Sequence, residues 1–204
     1  SEPWLMLSPA NGVGSVDGTI KVDSTLSNTL RSTELQFVGA NGQRCKLTVT
    51  QFGYGKQIFL KEPTVEIENS ESYDNRSFQS VISANVECKI GKIEYSYEGD
   101  LTEEEKADNK NELEGWLLNS KDENKLVGTN LGIVLDKKYR PRSVNFKFRW
   151  AMNIVPVTRV AKVHLVPVNA EDQLVDTNGN PTEEVVLTVR QKPALKIEDN
   201  RAGD

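Results

Sequence analysis

Lys92-Ile93-Glu94-Tyr95-Ser96-Tyr97-Glu98 decides the fold, because its apolar residues fall on every second position with charged or hydroxyl side chains between them. A period of two puts alternate side chains on opposite faces of an extended chain, so this run predicts a strand with one buried and one wet face. The alternation returns in Phe146-Lys147-Phe148-Arg149-Trp150, in Thr19-Ile20-Lys21-Val22-Asp23 and in Lys46-Leu47-Thr48-Val49-Thr50-Gln51. Turn signals separate such runs: Ala10-Asn11-Gly12, Ala40-Asn41-Gly42 and Thr177-Asn178-Gly179-Asn180. Asn-Gly accepts the positive φ that tight hairpins require. Half-buried strands punctuated by turns predict an all-β chain built as antiparallel sandwiches.

With 204 residues the chain can hold one large core or two small ones. Hydrophobic residues make up 37% and charged residues 27%, and the mean hydropathy is -0.51, the mark of a soluble protein with thin cores. A net charge of -5 offers no field to draw in a polyanion, which argues against nucleic acid and against anionic membrane surfaces as partners. No long apolar run exists for direct membrane insertion. Ser1-Glu2-Pro3-Trp4 enters patterned sequence at once, so a chain whose targeting segment has been removed is expected. Cys45 and Cys88 are too few for a disulfide scaffold and lack the spacing with histidine that zinc needs. Buried free thiols are expected ahead of a bridge.

One segment departs from the period. From Leu101 to Leu113 a short helix is expected, with Thr102 as N-cap, Glu105 at the capping-box position and acidic residues in the first turn. Its apolar positions are only Leu101, Ala107 and Leu113, which predicts a solvated surface insertion between strands.

Self-comparison organises the rest. Trp4-Leu5-Met6 matches Trp116-Leu117-Leu118, Ile20 to Asp23 matches Ile133 to Asp136, Arg31 to Phe37 matches Arg142 to Phe148, and Leu47 to Gln51 matches Leu187 to Gln191. The offsets are 112, 113, 111 and then 140, so an insertion is expected between Trp150 and Val186. Trp4, Trp116, Phe37 and Phe148 are thereby expected as structural core. Strands such as Val65 to Ile67, Phe78 to Ala84 and Lys89 to Tyr97 precede Trp116, whereas only Ser1, Glu2 and Pro3 precede Trp4. The first copy therefore lacks a front half, and exposing its apolar face would cost about 25 cal/mol per Å². The second domain, a second copy of the chain or further strands upstream could cover it.

The Trp-Leu opening, the Ser-Pro-x-x-Gly turn at Ser8 to Gly12, the strand, the Arg-led strand and the closing Val-Thr-Gln strand resemble the BACON domain family over residues 3–53. Residues 63–193 resemble a divergent member that keeps Trp116, Arg142 and Val189-Arg190-Gln191. The resemblance implies tandem immunoglobulin-like sandwiches, the first lacking its N-terminal strands. The expected domains are residues 1–60, residues 61–194 with insertions, and a linker or tail at 195–204. It also implies placement at the surface or in the periplasm of a Gram-negative bacterium, as part of an outer-membrane lipoprotein beside other domains of the same polypeptide.

Reactive chemistry finds little support. His164 is the only histidine and lies in an alternating strand without a serine or cysteine signature beside it, so a strand-face residue is expected. Glu103, Glu104 and Glu105 project in different directions on a helix and cannot converge on one group. Asp176 to Asn180 begins like a calcium loop, but Gly179 stands fourth, Pro181 sixth and Leu187 where the bidentate glutamate belongs, so a hairpin turn is expected. Gly12-Val13-Gly14 does not lead a strand into a helix. No catalytic residue, metal or cofactor is expected. Sugar binding would need exposed rings beside hydrogen-bonding groups, and Tyr54 and Tyr139 sit in turn-like contexts that suit this. The expected function is a non-enzymatic spacer or scaffold, with carbohydrate or mucin binding, or protein assembly through strand edges, as alternatives.

Overall fold

The structure, a computed structural model, describes residues 3–70, 72–108, 113–122 and 125–194. The expected tail at 195–204 lies outside the described residues. The strands are β1 (Leu5–Ser8), β2 (Thr19–Val22), β3 (Arg31–Val38), β4 (Arg44–Gln51), β5 (Ile58–Leu60), β6 (Thr64–Ile67), β7 (Ser77–Ala84) and β8 (Cys88–Glu98). After helix α1 (Glu103–Asp108) come β9 (Leu117–Asn119), β10 (Arg142–Trp150), β11 (Thr158–Pro167), β12 (Leu174–Val175), β13 (Pro181–Thr182) and β14 (Val185–Gln191). The chain is all-β, as the alternation predicts.

It divides into two compact units, Ser1–Gln57 with Leu174–Pro181, and Ile58–Gln173 with Thr182–Asp204. The division thus falls after Gln57 rather than after residue 60, and a hairpin tip expected in the second domain belongs to the first unit. Hydrogen bonds explain it: Val175 N donates to Lys56 O at 2.9 Å, and Gln57 Nε2 donates to Asp176 O at 3.2 Å.

In the first unit β1 pairs with β2 and β3 with β4, both antiparallel. Gly53-Tyr54-Gly55 lies against the Ser27–Thr29 backbone, with Tyr54 N donating to Ser27 O and Gly55 N to Asn28 O, each at 3.0 Å. A Cβ on Gly53 would stand 2.2 Å from Ser27 O, so glycine is needed for this approach.

The second unit is a sandwich of two four-stranded sheets, ordered β5-β7-β10-β9 and β6-β14-β11-β8. All pairings are antiparallel except β6 with β14. Alternation does the sorting. On β14, Leu187, Val189 and Gln191 point into the core, while Arg190 faces out and bridges Glu66 and Glu98. Phe148, Val163, Leu165 and Leu187 are fully buried between the sheets, with Phe78 stacked on Phe148 at 5.0 Å. Helix α1 carries the expected capping box, since Glu105 N donates to Thr102 Oγ1 at 3.1 Å and Thr102 N to Glu105 Oε1 at 3.2 Å. Residues 109–112 of that segment lie outside the described residues. Leu113 is buried with Val155 and Val157, and Leu101 packs on the same cluster, so this insertion is anchored rather than solvated throughout.

Candidate functional site

The most organised polar constellation surrounds Trp116. Its carbonyl accepts from Ala151 N at 2.8 Å, which fixes the residue just ahead of β9. The Arg159 guanidinium lies 4.8 Å from the centroid of its ring, and Tyr95 meets the ring edge-on at 5.9 Å. Arg159 Nε donates to Gln191 Oε1 at 2.9 Å, Arg159 Nη2 to Ala151 O at 2.7 Å, and Gln191 Nε2 to the same carbonyl at 3.1 Å. Arg159 and Gln191 are both fully buried and face one another across β11 and β14. Burying a cation costs several kcal/mol unless its donors are satisfied. Carbonyl oxygens and an aromatic face meet that demand here.

The first unit builds the same clamp. Arg31 lies 4.5 Å over the Trp4 ring, its Nε donates to Gln51 Oε1 at 2.7 Å, and both Arg31 Nη2 and Gln51 Nε2 donate to Asp23 O, at 2.8 and 2.7 Å. Asp23 N donates to Trp4 O at 2.8 Å, and Arg31 faces Gln51 across β3 and β4. Leu5 pairs with Val22 as Leu117 pairs with Trp150. The equivalent of Arg31 is therefore Arg159, not Arg142, and the equivalent of Ile20 to Asp23 is Phe148 to Ala151, not Ile133 to Asp136. The matches of Trp4 with Trp116 and of Gln51 with Gln191 stand. The signal in the sequence was an arginine opening one strand and a glutamine closing its antiparallel partner.

Of the residues expected as core, Trp116 and Phe148 are fully buried and Trp4 is half-buried. Phe37 is exposed, a correction to its expected core role: its alternation is right, but no described strand flanks β3 on the side away from β4.

Tyr54 and Tyr139 are 71% and 70% exposed, and they belong to different units. Trp150 is buried. Tyr139 has φ 53°, the left-handed region that a bulky residue seldom occupies. It sits in a loop where Asp136 Oδ1 accepts from Lys138 N at 2.9 Å and Arg140 N at 3.2 Å, and Tyr139 N donates to Asp136 O at 3.0 Å. The Asp176 loop repeats this: Asp176 Oδ1 accepts from Asn178 N and Asn180 N, and Gly179, with φ 82°, donates to Asp176 O. Asp176 is thus spent on its own hairpin. The Arg140 side chain on Asp136 Oδ2 at 2.6 Å, helped by the backbone N–H of Arg140, holds that carboxyl below its usual range.

His164 lies on β11, nearly buried, with Nδ1 2.7 Å from Glu184 Oε2 and Nε2 3.2 Å from Glu94 Oε2. Lys92 first and His164 second hold the Glu94 carboxyl below its usual range. No serine, threonine or cysteine nucleophile joins this group among the contacts described. Among the described residues no three His, Cys, Asp or Glu side chains gather as a metal site. An open groove of about 390 Å³ runs past Ile93, Tyr95, Leu117, Leu118, Leu126 and Val127, an apolar lining with Lys125 as its charged member. Cys45 and Cys88 are both free. Cys88 is buried as expected, and Cys45 is exposed, contrary to expectation, because it lies on β4 beside the Gly39–Gln43 turn, opposite the exposed Phe37. No described helix is long and apolar enough to cross a membrane. No protein-family model matches this chain, and no curated protein matches it.

Proposed function

We propose that this chain is a non-enzymatic structural module that acts as a spacer or scaffold for neighbouring domains of its polypeptide. The observation that carries the reading is the twofold Trp–Arg–Gln clamp: the side chains best equipped to recognise a ligand are turned inward and consumed in bracing each unit. His164 is likewise held between two carboxylates on a sheet rather than aimed at a nucleophile. The resemblance to BACON domains supports tandem immunoglobulin-like modules and an outer-membrane lipoprotein of a Gram-negative bacterium as their setting. Deleting the module from the full polypeptide is expected to change the reach or activity of its neighbours while glycan arrays and affinity gels stay blank. A hydrolytic or transferase activity abolished by His164→Ala, with the fold intact by circular dichroism, would end this reading.

A second reading, carbohydrate or mucin binding, is favoured by one feature: Tyr139 presents an exposed ring from a strained backbone position beside Arg140. Titration with polysaccharides, repeated on Tyr139→Ala and Tyr54→Ala, decides it, since binding that survives in both variants removes the site.

A further inference from the structure

The two clamps put both units in one register, so equivalent positions can be compared residue by residue. Val22 is 42% exposed where Trp150 is 4%, Phe37 is 39% exposed where Leu165 is fully buried, and Leu47 is 42% exposed where Leu187 is fully buried. These pairs share strand, face and register, and only their coverage differs. In the second unit β10 has β7 on its other side, β11 has β8 and β14 has β6. In the first unit their equivalents β2, β3 and β4 each pair with a single described strand. Three strand edges and the face between them are thus open together. Isolated two-stranded sheets are marginal in water, and open apolar edges invite a further strand.

We propose that the first unit is the second half of a sandwich and is completed by strand addition from a run of polypeptide entering at Trp4. The chain itself specifies the occupant. In the second unit the strands that cover the equivalent edges, β6, β7 and β8, occupy one continuous stretch ahead of Trp116. The occupant therefore brings one antiparallel strand to β2, one antiparallel strand to β3 and one parallel strand to β4. Backbone N–H and C=O groups supply the pairing, and alternate apolar side chains fill the face over Leu35, Leu47 and Val49. Its β8 equivalent carries an aromatic residue against Trp4, because Tyr95 of β8 is what closes the edge of Trp116.

Hydrogen–deuterium exchange tests it on the unsupplemented chain and on two supplemented forms. One carries a second copy of residues 58–115 fused ahead of Trp4, and the other receives residues 58–100 as a separate polypeptide. In the unsupplemented chain, the amides of β2 and β3 that point away from their hairpin partners should exchange roughly 100-fold faster than those of β10 and β11. At least one supplemented form should slow them by about tenfold or more, and a scrambled copy should not. Unchanged exchange in both forms would overturn the proposal, and the added polypeptide keeps the test open if the fusion itself does not fold. Protection of the same amides in the unsupplemented chain, with a dimer in sedimentation, would also overturn it, by making a second copy the occupant.

Discussion

Arg159 Nε lies 2.9 Å from Oε1 of Gln191, its cross-strand partner, in a core where both side chains are fully buried. Arg31 and Gln51 make the same bond at 2.7 Å with both side chains only half-buried. Gln191→Ala leaves a buried cation short of an acceptor and is expected to cost about 3 kcal/mol, whereas Gln51→Ala, where water can replace the lost bond, is expected to cost about 1 kcal/mol or less. Urea unfolding of the two variants checks this. Equal losses would mean that burial is not what gives the clamp its weight.

Tyr139 holds the position that Gly179 holds in the matching loop, with φ 53° against 82°. Relieving a left-handed non-glycine residue should outweigh the extra freedom of glycine in the unfolded chain, so Tyr139→Gly is expected to stabilise by about 0.5–1 kcal/mol. Gly179→Ala is expected to destabilise by a similar amount, about 1 kcal/mol. A loss of melting temperature in Tyr139→Gly would show that the ring makes a stabilising contact that outweighs its backbone strain.

Asp136 governs the acid behaviour of its loop. Its folded pKa lies below the ordinary value of 3.8, chiefly through the Arg140 side chain, so the stabilisation is fully present above that value. It is lost as the pH falls through the depressed folded value. Exchange of the Lys138 and Arg140 amides, corrected for intrinsic rates, should stay constant from pH 7 to about pH 4 and accelerate below it. Asp136→Asn should exchange fast at every pH, and an unchanged profile in that variant would place the acid response elsewhere.

The two thiols should report separately. Cys45 is exposed, whereas burial pushes the Cys88 thiol up to about 12 and leaves it uncharged at neutral pH. Ellman's reagent at pH 8 is expected to titrate one thiol in the folded chain and the second only in denaturant. Rapid labelling of both in the folded chain would contradict the packing around β8.

Much of the architecture was legible because period-two alternation is a local property: β8, β10 and the Asn-Gly turns at Gly42 and Gly179 can be read from a few residues each, whereas Gly12 lies in the long loop between β1 and β2 without the positive φ. The capping box of α1 was legible for the same reason. The clamp was half legible. Trp4 with Trp116 and Gln51 with Gln191 stand out by residue type, but residue type matches Arg31 with Arg142, since both open an alternating strand. Only the cross-strand register singles out Arg159, and register links residues far apart in sequence. Phe37 shows the other limit, since alternation assigns a side chain to a face and says nothing about whether a second layer covers that face.

The clamp also bears on how each pair of strands finds its alignment. Sliding β4 along β3 by a single residue would turn the glutamine to water and strand the guanidinium beneath the indole, and the same holds for β14 along β11. Each clamp therefore works as a proofreading device during assembly, penalising every mispaired alignment at the moment of closure. In the second unit that check spans a detour of seventeen residues, 168–184, between β11 and β14, where chain entropy alone would tolerate many alternatives.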